Sequence, residues 1–409
     1  MKPILPRKAS PKKNEATVVI ETLTNAGDGL GRMGAQAVFV PGTMPGDTVR
    51  VKLVKQKTSW AQGRLITLVS PAAERIPPRC QHAGECGGCD WQHVPYDQQL
   101  DAKRSQFSEV MQRIGGFDNL LVPAVTPSEH QFQYRNRIQG EVRRGAFYFR
   151  ARQQGTPVAI RRCEISEQPI NAWLSRSVSS HPDGRFEVAI EDGEVVTHPM
   201  NDQRSTELGF RQVNVSMAQH LSSLIQAFVA NSNSQRVFDL YCGRGDWAID
   251  IATRHLGRDL GRDLGHDLGR DLGREVVGVD VSPDNIAIAK RRQQRSSALS
   301  GARLTFKVAK VEKVIKSLNL NDALCLVDPP RAGLQQTVTE ALVKAGPAEL
   351  MYVSCHPATL ARDLKQLCQP AGSSAYEVTD IALLDMFPQT AHLESVVTLK
   401  RSSASRPDR

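Results

Sequence analysis

The apolar run Leu350-Met351-Tyr352-Val353 leads through Ser354 to Cys355 and then into His356-Pro357-Ala358-Thr359-Leu360. A strand that ends where a helix begins sets a thiol at the carboxyl edge of an α/β sheet, the edge where such sheets bind ligands. The free N–H groups of a helix amino terminus favour a thiolate, so the pattern predicts a lowered pKa and a nucleophile. A lone cysteine is more often a core residue; the acids at the neighbouring strand ends decide otherwise here. Asp239-Leu240-Tyr241-Cys242-Gly243-Arg244-Gly245-Asp246 follows a strand and precedes a helix. Asp280 ends Val276-Val277-Gly278-Val279, and Asp328-Pro329-Pro330-Arg331 closes a further apolar run. Prolines cannot continue a ladder, so Asp328 is held in a rigid turn. Gln389-Thr390-Ala391-His392-Leu393-Glu394-Ser395 adds a last acid. Taken singly, each acid reads as a cap or a surface group. Polar groups at four successive strand ends read as a site.

The glycines after Tyr241 let backbone approach a ligand, and an acid at Asp280 suits ribose hydroxyls. A dinucleotide is one candidate, but G-x-G without a third glycine favours S-adenosylmethionine. The eight cysteines are uneven: Cys80, Cys86 and Cys89 crowd together, Cys163 stands alone, and Cys242, Cys325, Cys355 and Cys368 follow. In a long chain without a secretory pattern, such clustering points to metal or catalysis before disulfides.

The elements that must position these groups fall into three stretches, as 409 residues exceed one ordinary core. Alternating runs at 16–24, 37–40, 47–55 and 62–69, with turns at Gly27-Asp28-Gly29-Leu30-Gly31 and Pro41-Gly42, predict a small OB-like barrel at 9–69. Residues 70–208 hold the cysteine cluster, an amphipathic helix over 97–114, and Tyr134-Arg135-Asn136-Arg137-Ile138-Gln139-Gly140-Glu141-Val142-Arg143-Arg144. That segment reads as a strand with one cationic face, either solvated or against RNA. Over 209–401 strands alternate with helices, which predicts an α/β, doubly wound, mostly parallel sheet. Leu-Gly-Arg-Asp recurs between Leu256 and Glu275, and a glycine every fourth residue predicts a loop there.

A net charge of +9 favours a polyanionic partner, most simply nucleic acid. No run approaches a membrane span, and Met1 to Lys13 is basic without an apolar leader core, so a flexible arm on a cytoplasmic protein is expected.

Asp-Leu-Tyr-Cys-Gly, Asp-Pro-Pro-Arg-Ala-Gly, Val-Ser-Cys-His-Pro-Ala-Thr-Leu-Ala-Arg-Asp and His-Leu-Glu-Ser together resemble the RNA uracil-5-methyltransferase family over nearly the whole chain. The resemblance implies a Rossmann-like class I methyltransferase domain, an N-terminal TRAM domain of OB type, and an α+β iron–sulfur central domain. It implies Cys355 as the nucleophile toward uracil C6 and Glu394 as the base that removes the C5 proton. Gln212, Tyr241, Asp280 and Asp328 map onto S-adenosylmethionine positions. Cys80-x5-Cys86-x2-Cys89 with Cys163 is similar to the four-cysteine pattern of a [4Fe–4S] cluster, with four-thiolate zinc the physical alternative. The tRNA-modifying branch usually lacks both the barrel and the cysteines, so 23S ribosomal RNA is the expected substrate and a monomer the plainer state. Transfer RNA, or a non-catalytic iron–sulfur RNA-binding sensor, are the competing readings. Two departures stand out: His356 replaces the family's usual asparagine, and Lys310 sits where a polar residue often lies near the cofactor.

Overall fold

Strict alternation in the first stretch does close a sheet. The structure is a computed structural model that describes residues 14–152, 156–200, 212–256, 274–299, 302–369 and 375–402. The basic arm at 1–13 and the body of the Leu-Gly-Arg-Asp repeat lie outside the described residues. Strands β1 (Glu15–Leu23), β2 (Asp28–Met33), β3 (Gln36–Pro41), β4 (Thr48–Gln56) and β5 (Trp60–Ser70) form a closed barrel in the order β1-β2-β3-β5-β4. Val18, Ile20, Val38, Val40, Val49, Val51 and Ala61 fill it. Of the glycine run read as a turn, Gly27 does turn, at φ +87°, while Gly29 and Gly31 lie in strand β2. A Cβ on Gly29 would lie 2.1 Å from Thr43 Oγ1, and one on Gly31 2.2 Å from the Val19 carbonyl. These glycines serve close strand approach, a use that glycine content alone does not reveal.

Helix α1 (Tyr96–Val110) runs on as a π-helical turn, Met111–Gly115, and stops at Gly116 with φ +73°. Its Phe107, Val110 and Met111 pack into the core of the C-terminal sheet, and β6 (Val125–Thr126) pairs with that sheet's outer strand. Thus 96–126 builds onto the C-terminal core rather than onto the central sheet.

The central sheet comprises β7 (Arg137–Arg143), β8 (Ala146–Phe149), β9 (Val158–Ile160), β10 (Gly184–Glu191) and β11 (Glu194–Pro199), ordered β11-β10-β7-β8-β9. Helix α2 (Gln168–Arg176) covers it, seating Ile170, Trp173 and Leu174 on Ile138, Val142 and Phe147. The cationic strand is partly answered by acids: Arg137 pairs with Glu187 at 3.4 Å and Arg143 with Glu141 at 2.7 Å.

From α3 (Val215–Asn231) the chain alternates: β12 (Arg236–Leu240), α4 (Asp246–Leu256), β13 (Glu275–Asp280), α5 (Pro283–Arg295), β14 (Leu304–Val308), α6 (Val311–Val314), β15 (Leu324–Val327), α7 (Gln336–Ala345), β16 (Glu349–Ser354), α8 (Pro357–Cys368), β17 (Tyr376–Leu384) and β18 (Glu394–Arg401). The sheet order is β14-β13-β12-β15-β16-β18-β17-β6, with β18 antiparallel to both neighbours. Successive residues of one strand enter opposite cores, Val237 and Leu324 on one face, Phe238 and Cys325 on the other. Burial on both faces explains the unbroken apolar runs. The order reverses between β12 and β15, which opens a crevice at their carboxyl ends.

Candidate active site

Strand β12 exits through Tyr241 at φ +67°, then Gly243 at +52° and Gly245 at +74°. A tyrosine in the left-handed region persists only where surroundings fix it. Here Gly243 N–H donates to Asp280 Oδ2 at 3.0 Å, and a Cβ on Gly245 would meet the Phe306 ring at 2.6 Å. Asp280 Oδ1 also accepts from Ser282 N–H at 2.8 Å and from Asn285 Nδ2 at 3.2 Å. The acid at the β13 end therefore shapes the loop it faces. Tyr241 hydroxyl donates to Glu312 at 3.5 Å, while burial raises its pKa.

Beneath this loop Asp239 is almost fully buried. Its Oδ2 accepts from Ala248 N–H at 3.2 Å, while Oδ1 has no partner among the described residues. Burial, with the nearby Asp328 charge, pushes its pKa up to about 8. Asp239 was visible in the motif, but its burial was not, and it joins the site only through the structure.

Helix α8 sets the Asp-Pro-Pro-Arg turn. Fully buried Asp363 accepts from Leu334 N–H and Tyr352 hydroxyl, both at 2.7 Å. Arg362 donates to the Ala332 carbonyl at 2.9 Å and Thr359 hydroxyl to the Arg331 carbonyl at 3.2 Å. So clamped, Arg331 donates to His392, 3.2 Å from Nε2, and its charge acts on the Cys355 thiol. Burial and the Arg331 charge push His392 down to about 4, leaving a neutral ring able to accept that bond.

The antiparallel register completes the group. Ser354 faces Ser395, whose hydroxyl donates to the Ser354 carbonyl at 3.0 Å, so Cys355 leaves β16 beside Glu394 at the start of β18. Cys355 is half-buried and Glu394 buried. Burial raises the thiol's pKa first, then the Glu394 charge; Arg331 opposes both, and Asp328 adds to the rise. The expectation of a lowered pKa is thus reversed. Cys355 stands one residue before the N-cap, His356, and desolvation with acid neighbours outweighs the helix end. Burial, then Asp328, holds Glu394 well above the carboxylate range against the pull of Arg331. Asp328 is raised by burial as well.

The other expected residues are placed as follows. His356 Nδ1 accepts from Thr359 N–H at 3.4 Å, so it caps α8 as an asparagine would. Lys310 is exposed and begins α6. Gln212 lies at the seam with the central region, its carbonyl accepting from Asn136 Nδ2 at 3.3 Å. Two residues on, Asn214 caps α3 by accepting from Met217 N–H at 3.4 Å.

Cys80, Cys86, Cys89 and Cys163 line one cavity of about 1310 Å³, together with Arg135, Arg137 and Arg152. Gln92 accepts from Cys80 N–H at 2.8 Å and Asn171 from Cys163 N–H at 2.8 Å, which fixes both ends of the set. Burial first, then the Cys163 and Cys80 charges, raise Cys86 to about 11 against the Gly88 N–H. Cys80 and Cys89 are raised by burial and by the other cysteines. Among the described residues, no set of three or more His, Cys, Asp or Glu side chains is arranged to hold a metal ion as it stands. No helix among them is long and apolar enough to cross a membrane.

A sheet with this order, a glycine loop after its first strand and acids along one edge define a class I methyltransferase. A crystal structure of Pyrococcus abyssi tRNA (uracil-54, C5)-methyltransferase with S-adenosyl-L-homocysteine shares the fold at TM-score 0.66 and 22% identity, over 94% of this chain and all of that one. The family model for tRNA (uracil-5-)-methyltransferase matches residues 190–402, and that for the TRAM domain residues 13–66. The chain therefore belongs to the tRNA (uracil-5-)-methyltransferase family and is an RNA uracil-5-methyltransferase. Among its relatives, the 23S rRNA (uracil(1939)-C(5))-methyltransferase RlmD of Vibrio vulnificus is 28% identical, covering 97% of this chain and 98% of that protein. An uncharacterized RNA methyltransferase of Thermosynechococcus vestitus is 27% identical over 94% of this chain and 97% of its own.

Proposed function

We propose that the chain transfers a methyl group from S-adenosylmethionine to C5 of a uridine in 23S ribosomal RNA, through a transient bond from Cys355 to C6. The observation that carries this reading is Cys355 beside Glu394, with the Arg331 charge acting on the thiol.

Uracil C5 is a weak nucleophile. Addition of the Cys355 thiolate at C6 turns the ring into an enolate and makes C5 carbanion-like. Arg331 favours the thiolate over the thiol as a fixed cation near it. Bound S-adenosylmethionine supplies the electrophilic methyl group. Glu394 then takes the C5 proton, the C6–sulfur bond breaks, and the aromatic ring returns. Its raised pKa suits a base that must hold that proton near neutral pH. Stacking shields C6 in a duplex, so the uridine must be unpaired or flipped out.

Gln212, Tyr241, Asp280 and Asp328 are assigned to the methyl donor. An ionised carboxylate offers about four acceptor positions. Asp280 uses three on Gly243, Ser282 and Asn285, which leaves room for a ribose hydroxyl. Cys80, Cys86, Cys89 and Cys163 are assigned to a [4Fe–4S] cluster, supported by four thiols lining one cavity. When bound, the cluster supplies a fixed cross-link between two chain segments; methyl transfer needs no electron from it. Anaerobically purified protein is expected to be brown and to contain iron, and colourless protein with stoichiometric zinc overturns that assignment.

The RlmD relatives support ribosomal RNA. The three-part layout does not discriminate, because the Pyrococcus tRNA enzyme matches it over its whole length. Mapping 5-methyluridine in 23S ribosomal RNA and transfer RNA from a deletion strain decides the substrate. Loss from 23S ribosomal RNA supports the proposal; loss from transfer RNA alone reassigns the substrate, and no loss in either removes the activity.

A further inference from the structure

Asp90, directly after Cys89, stands where three regions meet. Its Oδ1 accepts from Arg152 Nη1 at 2.5 Å, and its Oδ2 accepts from Ala391 N–H at 3.0 Å. The N–H groups of Asp90 and Trp91 donate to the Gln389 carbonyl at 2.9 and 3.0 Å. A Cβ on Gly27 would sit 2.6 Å from Asp90 Cγ, so the carboxylate is pressed on the barrel as well. Arg152 in turn donates to the Cys89 carbonyl at 3.0 Å and pairs with Asp28 of β2 at 3.6 Å.

The loop so gripped, residues 385–393, ends at Glu394. Gln389 lies in it at φ +69°, a conformation that lasts only where contacts impose it. Gln99 supplies two of those, accepting from Gln389 N–H at 3.0 Å and donating to its side-chain oxygen at 3.1 Å. At the loop's other end, buried Lys103 donates to Asp385 at 2.6 Å and to the Phe387 carbonyl at 3.2 Å. Asp90 ties the loop at Ala391, three residues from the base and next to His392, which Arg331 holds.

We propose that Asp90 is a positioning residue that couples the cysteine segment to the Glu394 loop, so that the geometry at the four thiols sets where the base stands. The proposal rests on the covalent chemistry above and separates one step of it. Cys355 leaves β16 and the Arg331 backbone is held by Thr359 of α8, neither of them through Asp90, so attack and methylation should survive its loss. Proton removal should not.

Asp90→Ala is expected to lower kcat for methylation roughly 10- to 100-fold, the scale of a displaced catalytic group, with KM for S-adenosylmethionine little changed. On ordinary uridine RNA it should accumulate a methylated protein–RNA adduct, seen as a heat-stable gel shift, because the C5 proton waits for its base. Hydrogen exchange should quicken in peptides covering 387–394. Asp90→Asn keeps an acceptor for Ala391 N–H but loses the Arg152 ion pair, so it should fall between wild type and Ala; it carries the test alone if Asp90→Ala does not fold. Glu394→Gln is the control for the adduct. Reduced turnover without adduct, while Glu394→Gln accumulates it, overturns the proposal, as does unchanged turnover. No adduct with Glu394→Gln overturns the covalent chemistry itself.

Discussion

Two regions of this molecule gather sulfur, and the fold treats them differently. At the β16 edge one thiol sits among acids, and a clamped arginine offsets them. In the central region four thiols line one cavity, and burial and the other three thiols raise Cys89 against a bond from Gln92. The first site carries its own counter-charge and can stabilise a thiolate with the chain's residues alone. The second, once ionised, accumulates like charge that Arg135 offsets only at Cys86, as the smallest influence there, so a bound cation would balance the rest. The difference teaches why a nucleophile and a ligand set can be told apart even when both look like cysteines in a strand-end or loop context.

Removing either partner of the first site should separate the two regions most sharply. Cys355→Ala is expected to cost roughly 10⁴-fold or more in methylation rate, the scale for losing a nucleophile, while RNA binding and iron content stay at wild-type levels. A parallel loss of iron would show that the regions are not independent.

Lys103→Met tests the join between them. Lys103 and Asp385 are both fully buried, and breaking such a pair leaves one charge stranded. A loss of about 3–5 kcal/mol in urea-denaturation stability is expected; a change near zero would remove the ion pair from the account.

Arg331→Ala bears on the counter-charge alone. Adduct formation should slow about 10²-fold, as when one electrostatic partner is deleted, and its pH midpoint should rise. The wild-type rate should itself climb from pH 6 toward pH 9, because the thiol and Glu394 are both raised and both act deprotonated. A rate that falls over that span would reverse the assigned protonation states. The smallest effect belongs to Trp91→Phe, which removes the 3.1 Å bond to the Gly27 carbonyl and should cost about 1–2 kcal/mol of stability with the chemistry unchanged.

Sequence pattern revealed the strand-end residues because each apolar run stops abruptly at a polar group, and burial on both sheet faces makes such stops conspicuous. It also exposed the cysteine spacing. Hidden were the features that depend on pairs far apart in the chain. Asp90 with Ala391, Lys103 with Asp385 and Gln99 with Gln389 each join segments of different regions. The Cys355 environment was misjudged for a related reason: the helix start is local, whereas Asp328 and Glu394 arrive from other strands. Gly29 and Gly31 were misread because a glycine that admits a close neighbour looks, in sequence, like one that makes a turn.

Trapping with RNA that carries 5-fluorouridine at the target position tests the central claim most directly, since fluorine cannot leave C5 as a proton does. With S-adenosylmethionine present, mass spectrometry should find a methylated fluorouridine bound to the peptide containing Cys355. Absence of that adduct under turnover conditions, or its attachment to another cysteine, would contradict the account.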